Sequence, residues 1–399
     1  MDAYLLDWVN LLLRWAHVIV AIAWIGSSFY FVFLDNSLTP PGDDTDLKRK
    51  GVDGELWAVH GGGFYHPQKY LLSPPTLPEH LHWFYWESYS TWLTGFALFT
   101  VLYLYQAGTF LIDKSVHAWT PAAAISAALG FLAVFWFIYD AICRVFGQRP
   151  NGDRIVGALV LAFVVFAAWL ACQLFAGRAA FLLVGAMMAT SMSANVFFWI
   201  IPGQRKVMAQ MKAGQPVDPV HGQRAKQRSV HNTYFTLPVL IAMLSNHYGF
   251  LYSARNNWLV LVVVMLAGAL IRHSFVARNK ALVQHKRVPW EYAGAGSVAL
   301  AVVAVSLAPT PQARAPQVAS VGFAEVRAVV AQRCVMCHNE QVNNKNLMLH
   351  TPALIAQHAQ QVYQQAVVLK AMPLNNATQI TDAERALIQR WFEAGAPLQ

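Results

Sequence analysis

Residues 334–338 read Cys334-Val335-Met336-Cys337-His338. Two thiols three residues apart, followed at once by an imidazole, form the attachment pattern of a c-type haem. On one helical turn both sulfurs reach the two vinyl groups of one porphyrin edge, and His338 is then placed to ligate the iron. The alternatives need partners that the sequence lacks. A zinc half-site requires a second ligand pair nearby, and the other cysteines, Cys143 and Cys172, lie far upstream in apolar runs. A thioredoxin-like pair requires a βαβ context. The pattern therefore predicts covalent haem c on Cys334 and Cys337, with His338 as an iron ligand.

Outward from this motif, the sequence predicts a small helical domain over residues 317–399. Phe323, Val326 and Val330, with Val329 beside them, recur on one helical face leading into the motif. Near the end, Thr381 and Glu384 form a capping box, Leu387, Ile388, Trp391 and Phe392 supply an apolar face, and Gly395 stops the helix. A helix at each end with haem between them is the plan of a small cytochrome c. A chain this short gains its centre from the haem. The second axial ligand of such a haem is usually Met. Met372, followed by Pro373 at the start of a loop, is the favoured candidate over Met348, Met336, His350 and His358.

Upstream, Pro309, Pro311 and Pro316 with small residues between them mark a linker over 309–316. Residues 1–308 before it are of a different kind. The chain has 399 residues, 56% of them hydrophobic and only 12% charged, about half the charged share of an ordinary soluble protein. Apolar stretches near 8–34, 83–105, 122–146, 155–176, 180–201, 232–252, 257–275 and 290–308 each approach the roughly 20 residues that cross a bilayer. The predicted fold class is thus all-α: an eight-helix integral membrane bundle followed by a small cytochrome c domain. The first stretch lacks a basic leader and a cleavage site, so it reads as a span and not a signal peptide.

The +9 formal charge does not point to nucleic acid, because Lys and Arg are dispersed between apolar runs. Alternate connections carry four, three, six and four of them, against Lys114, Arg178 and Arg255 in the others. The positive-inside rule puts the richer set in the cytoplasm and both termini outside. The haem motif then lies on the periplasmic side of a bacterial inner membrane, where cytochromes c are assembled.

Polar groups at membrane depth are functional candidates. His17 lies in the first span, His247 near the outer end of the sixth and His273 near the inner end of the seventh, while Ser191, Ser193 and Asn195 interrupt the fifth. The inner connection from 35 to 82 is long enough to be functional. It holds His60-Gly61-Gly62-Gly63-Phe64-Tyr65-His66 and leads into His82-Trp83-Phe84-Tyr85-Trp86-Glu87. No GxSxG elbow accompanies the glycines, so the segment reads as a backbone that approaches a planar ligand, or as an aromatic belt at the interface.

These residues together resemble the membrane-bound, cytochrome-c-linked urate oxidases. The likeness runs through Trp24–Phe31, His60–His66, Leu81–Gly95, Asn195–Arg205, Arg228–Asn232 and Ser245–His247. It implies oxidation of urate to 5-hydroxyisourate in the membrane domain. Electrons then pass to the fused cytochrome, and onward to a soluble cytochrome c or a terminal oxidase. One haem c takes one electron at a time, so either it turns over twice or a second centre, such as a haem b on His17 and His247, holds the other electron. The inner-side residues His60, His66, His82, Glu87, His231 and Asn232 offer a base and hydrogen-bond donors for the purine. A different class of function, a quinol-to-cytochrome-c module or a cytochrome-fused permease, shares the haem motif. It is separated from the first by whether urate alone reduces the haem.

Overall fold

The computed structural model describes residues 3–70, 74–308, 322–342 and 347–398. The expected linker at 309–316 lies outside the described residues. The chain is mostly helical. Helix α1 (Ala3–Ser37) is followed by a single turn, α2 (Asp46–Arg49), and by strands β1 (Val52–Glu55), β2 (Ala58–His60), β3 (Gly63–Tyr65) and β4 (Gln68–Tyr70). Next come α3 (Trp86–Phe99), the short α4 (Ala107–Phe110), α5 (Pro121–Phe146), α6 (Gly152–Leu174), α7 (Gly177–Asn195) and α8 (Ile201–Lys212). Helices α9 (Pro219–Leu244), α10 (Gly249–Tyr252), α11 (Asn257–Val283) and α12 (Trp290–Ser306) complete this part.

The strands depart from the all-α expectation. They form two antiparallel pairs, β1 with β4 and β2 with β3. The inner pair places His60 opposite Gly63, and Gly61 and Gly62 between them have φ of 56° and 82°. A two-residue hairpin turn of type I′ has positive φ at both central residues, which glycine adopts at no steric cost. The glycine run is therefore explained by turning the chain.

Local sequence sets the helix ends. Thr120 caps α5 by accepting a hydrogen bond from the Ala123 amide, with Pro121 in the first turn. Asp218 does the same for α9 ahead of Pro219. Between α7 and α8 the helix widens over Val196–Ile200 into a π-helical turn, with hydrogen bonds between residues five apart. Pro202 follows, and its missing N–H and its ring are accommodated by such a widened turn.

Five helical segments are long and apolar enough to cross a bilayer: Tyr4–Ser37, Pro121–Phe146, Gly152–Leu174, Gly177–Lys212 and Asn257–Val283. The other three expected spans are also helical, but α12 is shorter and α9 carries Arg224, Lys226 and Arg228 in its first turns. These cations, like Arg205, Lys206 and Lys212, sit on helices and not in the loops where the charge count put them. The innermost helix is α7, packed by α5, α6 and α9. Small residues permit this closeness: a Cβ on Gly185 would lie 2.8 Å from Ala242 Cβ of α9. Large apolar side chains such as Phe137, Val298 and Val305 remain exposed on the rim of the bundle, as lipid-facing surfaces would be.

A second apolar cluster, sharing no residue with the first, forms around α13 (Phe323–Arg333) and α16 (Asp382–Glu393), with the short helices α14 (Pro352–Gln357) and α15 (Ala359–Val362) between them. The expected apolar face is its centre: Val326, Val330, Ile388 and Trp391 are fully buried. The capping box at Thr381 and Glu384 is present. Arg333 Nε and Nη2 donate to Glu384 Oε1 at 3.1 and 2.9 Å, joining the two end helices.

Candidate functional site

Three helices bring a set of polar side chains together inside the bundle. Positions 228, 231 and 232 are spaced i, i+3 and i+4, so Arg228, His231 and Asn232 share one face of α9. They meet Tyr139, Asp140 and Cys143 of α5, Asn195 at the end of α7 and Trp199 on the widened turn. Asp140 accepts from Arg228 Nη2 at 2.6 Å, from Arg144 Nε at 2.6 Å and from Trp199 Nε1 at 2.7 Å. The Arg228 guanidinium also lies over the rings of Tyr139 and Trp199, at 5.0 and 5.1 Å. With Arg228 and Asp140 both buried, the ion pair and its extra hydrogen bonds are what make two charges tolerable there.

The neutral half of the network has a defined direction. Asn195 Nδ2 donates to Tyr139 Oη at 3.0 Å and to Asn232 Oδ1 at 2.9 Å, and Asn232 Nδ2 donates to Met192 O at 3.0 Å. Tyr139 Oη, already accepting, has one proton left for His231 Nδ1 at 2.8 Å. A neutral imidazole that accepts at Nδ1 carries its proton on Nε2. His231 therefore offers an Nε2–H donor, which makes no hydrogen bond among the described residues. Asn232 has both ends of its amide engaged and holds helices together.

The other expected inner-side residues are not assembled with this network. His60 is exposed on the β2–β3 hairpin. His66 stacks on Trp57 at 4.1 Å and 8°, with Nε2 2.5 Å from Glu55 Oε2. His82 meets the ring of Phe84 edge-on at 4.5 Å, and Phe84 in turn meets Phe31 of α1. Glu87, in the first turn of α3, has a buried Oε2 without a hydrogen-bond partner. No hydrogen bond or ring contact among the described residues joins these groups directly to His231 or Asn232. An open cleft of about 420 Å³ lies beside the hairpins, lined by Phe31, Asp35, Leu38, Lys69, Tyr70 and Pro74. Its two charges, Asp35 and Lys69, are paired with each other.

His17 faces α3, with Nδ1 3.1 Å from Thr94 Oγ1. Gly95 makes room, since a Cβ there would lie 2.8 Å from His17 Cε1. The Thr94 hydroxyl proton is already given to Ser90 O at 2.7 Å, so His17 donates from Nδ1 and keeps the Nε2 lone pair. His247 sits on an exposed turn after α9. Among the described residues no hydrogen bond or ring contact joins His17 to His247.

The Cys334–His338 motif leaves α13 as a tight turn, with Cys337 N bonded to Cys334 O at 3.1 Å and His338 N to Val335 O at 3.2 Å. Burial pushes the Cys334 thiol up to about 11, partly offset by the nearby Arg385 guanidinium. His338 Nδ1 lies 2.9 Å from Leu347 O. A carbonyl only accepts, so Nδ1 carries the proton and Nε2 keeps its lone pair, the tautomer an iron ligand needs. Arg385 also donates from Nη1 to Met372 O at 2.9 Å. One guanidinium thus ties the Met372 loop to the vicinity of the cysteine turn. Two thiols on one turn, an imidazole with a free Nε2 and a tethered Met form a donor set that fits haem c. Among the described residues no group of three or more His, Cys, Asp or Glu is placed to hold a metal ion by itself.

Sequence reasoning missed Tyr139, Asp140 and Arg228. The signal was available, because an Asp within an apolar run demands a buried partner.

The family described as urate oxidase N-terminal matches residues 3–308. The chain belongs to that family. No curated protein and no solved structure matches it.

Proposed function

We propose that this chain oxidises urate to 5-hydroxyisourate within its membrane-embedded helices and passes the electrons to a haem c carried by its C-terminal domain. The family match over residues 3–308 carries this reading. The donor set at Cys334, Cys337, His338 and Met372 lies outside the matched stretch and would hold an electron acceptor.

The chemistry balances as urate plus water giving 5-hydroxyisourate, two protons and two electrons. Haem c, when bound, accepts these electrons one at a time. The chain must hold a planar anion, take up protons and admit water at C5. His231 presents an Nε2–H suited to a purine oxygen, fixed by the relay from Asn195 through Tyr139. Such fixed donors stabilise charge without reorganising during the reaction. Glu87 and the histidines of the 60–82 segment are the bases within reach of the cytoplasmic side, where urate from purine breakdown arrives.

In this arrangement eight helices cross a bacterial inner membrane with both termini outside. The C-terminal domain would face the periplasm, where a soluble cytochrome c or a terminal oxidase would take up the electrons. The five helices of spanning length and apolarity support the membrane part. The test is anaerobic addition of urate to the purified full-length protein. Urate alone is expected to produce the reduced haem spectrum, and the two cysteine-to-serine changes to abolish covalent haem staining. If dithionite reduces the haem and urate does not, the proposal fails.

A further inference from the structure

The network around Asp140 is saturated by its own members, but another buried cation in the bundle is not. Arg272 lies near the middle of α11 and is only 5% exposed. Its Nε and Nη2 are buried and have no hydrogen-bond partner. No acid is paired with it among the described residues. Its position is set by close helix packing. Gly268, one turn earlier, lets α11 approach α9, where an added Cβ would lie 3.2 Å from Leu237 Cβ. The antiparallel run of the two helices then brings Arg272 level with Tyr234.

The surroundings are aromatic. Phe29 of α1 covers the guanidinium, with Cζ 3.6 Å from the ring centroid. Tyr234 Oη and His273 Nδ1 are 2.7 Å apart, and the His273 ring meets Tyr292 of α12 at 4.5 Å and 69°. Ser274 Oγ locks this corner by donating to Pro289 O and accepting from Ala293 N. With one face covered by Phe29, the guanidinium has its Nε–Nη2 edge left to offer. That edge is the fork which binds a planar oxyanion or an O/N acceptor pair with two parallel hydrogen bonds. Arg272 is six residues before Arg278, about 9 Å along the helix axis, so its guanidinium lies on the inner half of the bundle. A buried guanidinium without a counter-charge carries a large desolvation penalty, which an anion joining it would offset.

We infer that the Nε–Nη2 edge of Arg272 is the anchor for the substrate anion, gripping two adjacent acceptors on one edge of a planar purine. This rests on the urate reading above. It assigns recognition of the anion to the α1–α9–α11–α12 corner and leaves the saturated Asp140–Arg228 pair a structural role.

The test is equilibrium binding of radiolabelled urate to the purified holoprotein, alongside steady-state kinetics. Arg272→Met is expected to weaken urate binding at least tenfold. It should raise KM by a similar factor with a much smaller change in kcat. It should also collapse the preference for urate over xanthine, a planar purine that is neutral at pH 7. Arg272→Lys is expected to recover part of the affinity, since it keeps the charge and loses the fork, and it serves if the Met variant does not fold. Unchanged urate affinity and unchanged anion preference in a folded variant would overturn the inference. The same holds if the variant keeps urate affinity but loses co-purifying phospholipid phosphate, which would identify a lipid headgroup as the occupant. Failure of the wild-type protein to bind urate at all would instead remove the urate reading beneath it.

Discussion

At the scale of single residues, the sharpest consequence concerns Asp140. It accepts from two guanidinium groups and an indole, and Arg228 across from it is 3% exposed. Removing the acid strands a buried cation, which costs about 3–5 kcal/mol. Asp140→Asn should therefore lower the unfolding temperature and the yield of folded protein in detergent. A double change, Asp140→Asn with Arg228→Met, should be milder than the single one, because no bare charge remains. This residue was legible in principle as an acid in an apolar run. Its partner was not, since Arg228 reads as one more cytoplasmic cation until helix α9 is seen to begin at Pro219. The second case is Glu384. Burial alone would raise its carboxyl. The Thr381 amide, the Arg333 guanidinium and the Thr381 hydroxyl outweigh that and hold it below the usual carboxylate range. A depressed folded value means its stabilisation is present above the unfolded value of about 4.3. That stabilisation is lost as pH falls through the lower folded value. Acid unfolding of the full chain, followed by hydrogen exchange over residues 382–393, should show that limb, and Glu384→Gln should flatten it.

At the scale of elements, periodicity and length located the helices because burial and lipid impose the same apolar demand on every turn. They located the ends poorly. Helices α8 and α9 extend past the apolar stretches into charged sequence, where capping by Asp218 sets the start and nothing apolar marks it. The hairpins at 52–70 were hidden for another reason: strands of three or four residues carry too few alternations to register. The close approach of α12 to α11 was also invisible, although it depends on one residue. A Cβ on Gly296 would sit 2.7 Å from Ala267 O and 2.9 Å from Ile271 Cγ1. Backbone cannot yield as a side-chain tip does, so Gly296→Val should force the helices apart at a cost of about 1–3 kcal/mol. Thermal unfolding in detergent measures this. Gly294→Val, at a position with nothing within 4 Å of an added Cβ, should be near neutral and serves as the control. If both variants melt alike, the contact is not a tight one.

At the scale of the whole molecule, the helical bundle and the C-terminal domain touch near Met372, a contact that the proposed function would use for electron flow. The turn Leu374–Asn376 packs against α4. Gly249, at the start of α10, faces the segment just before Met372: a Cβ there would lie 2.9 Å from Leu369 O and 3.4 Å from Ala371 Cβ. Both α4 and α10 lie at the end of the bundle that the charge bias assigns to the outside, the side expected for the haem motif. No sequence pattern announced this contact, because it joins residues 120 positions apart through a backbone surface that any small residue would offer. Its consequence is a separation of rates. Gly249→Val should push the 369–371 segment off the bundle and slow reduction of haem c by urate. Covalent haem content, direct reduction of the haem by dithionite and the affinity for urate should stay as in the wild type, since Gly249 touches neither the cysteine turn nor the Arg272 corner. Stopped-flow absorbance after anaerobic mixing with urate measures the rate. An unchanged rate in a variant with normal haem content would mean that electrons leave the bundle by another face, and that the Met372 loop rests on α10 without serving the transfer.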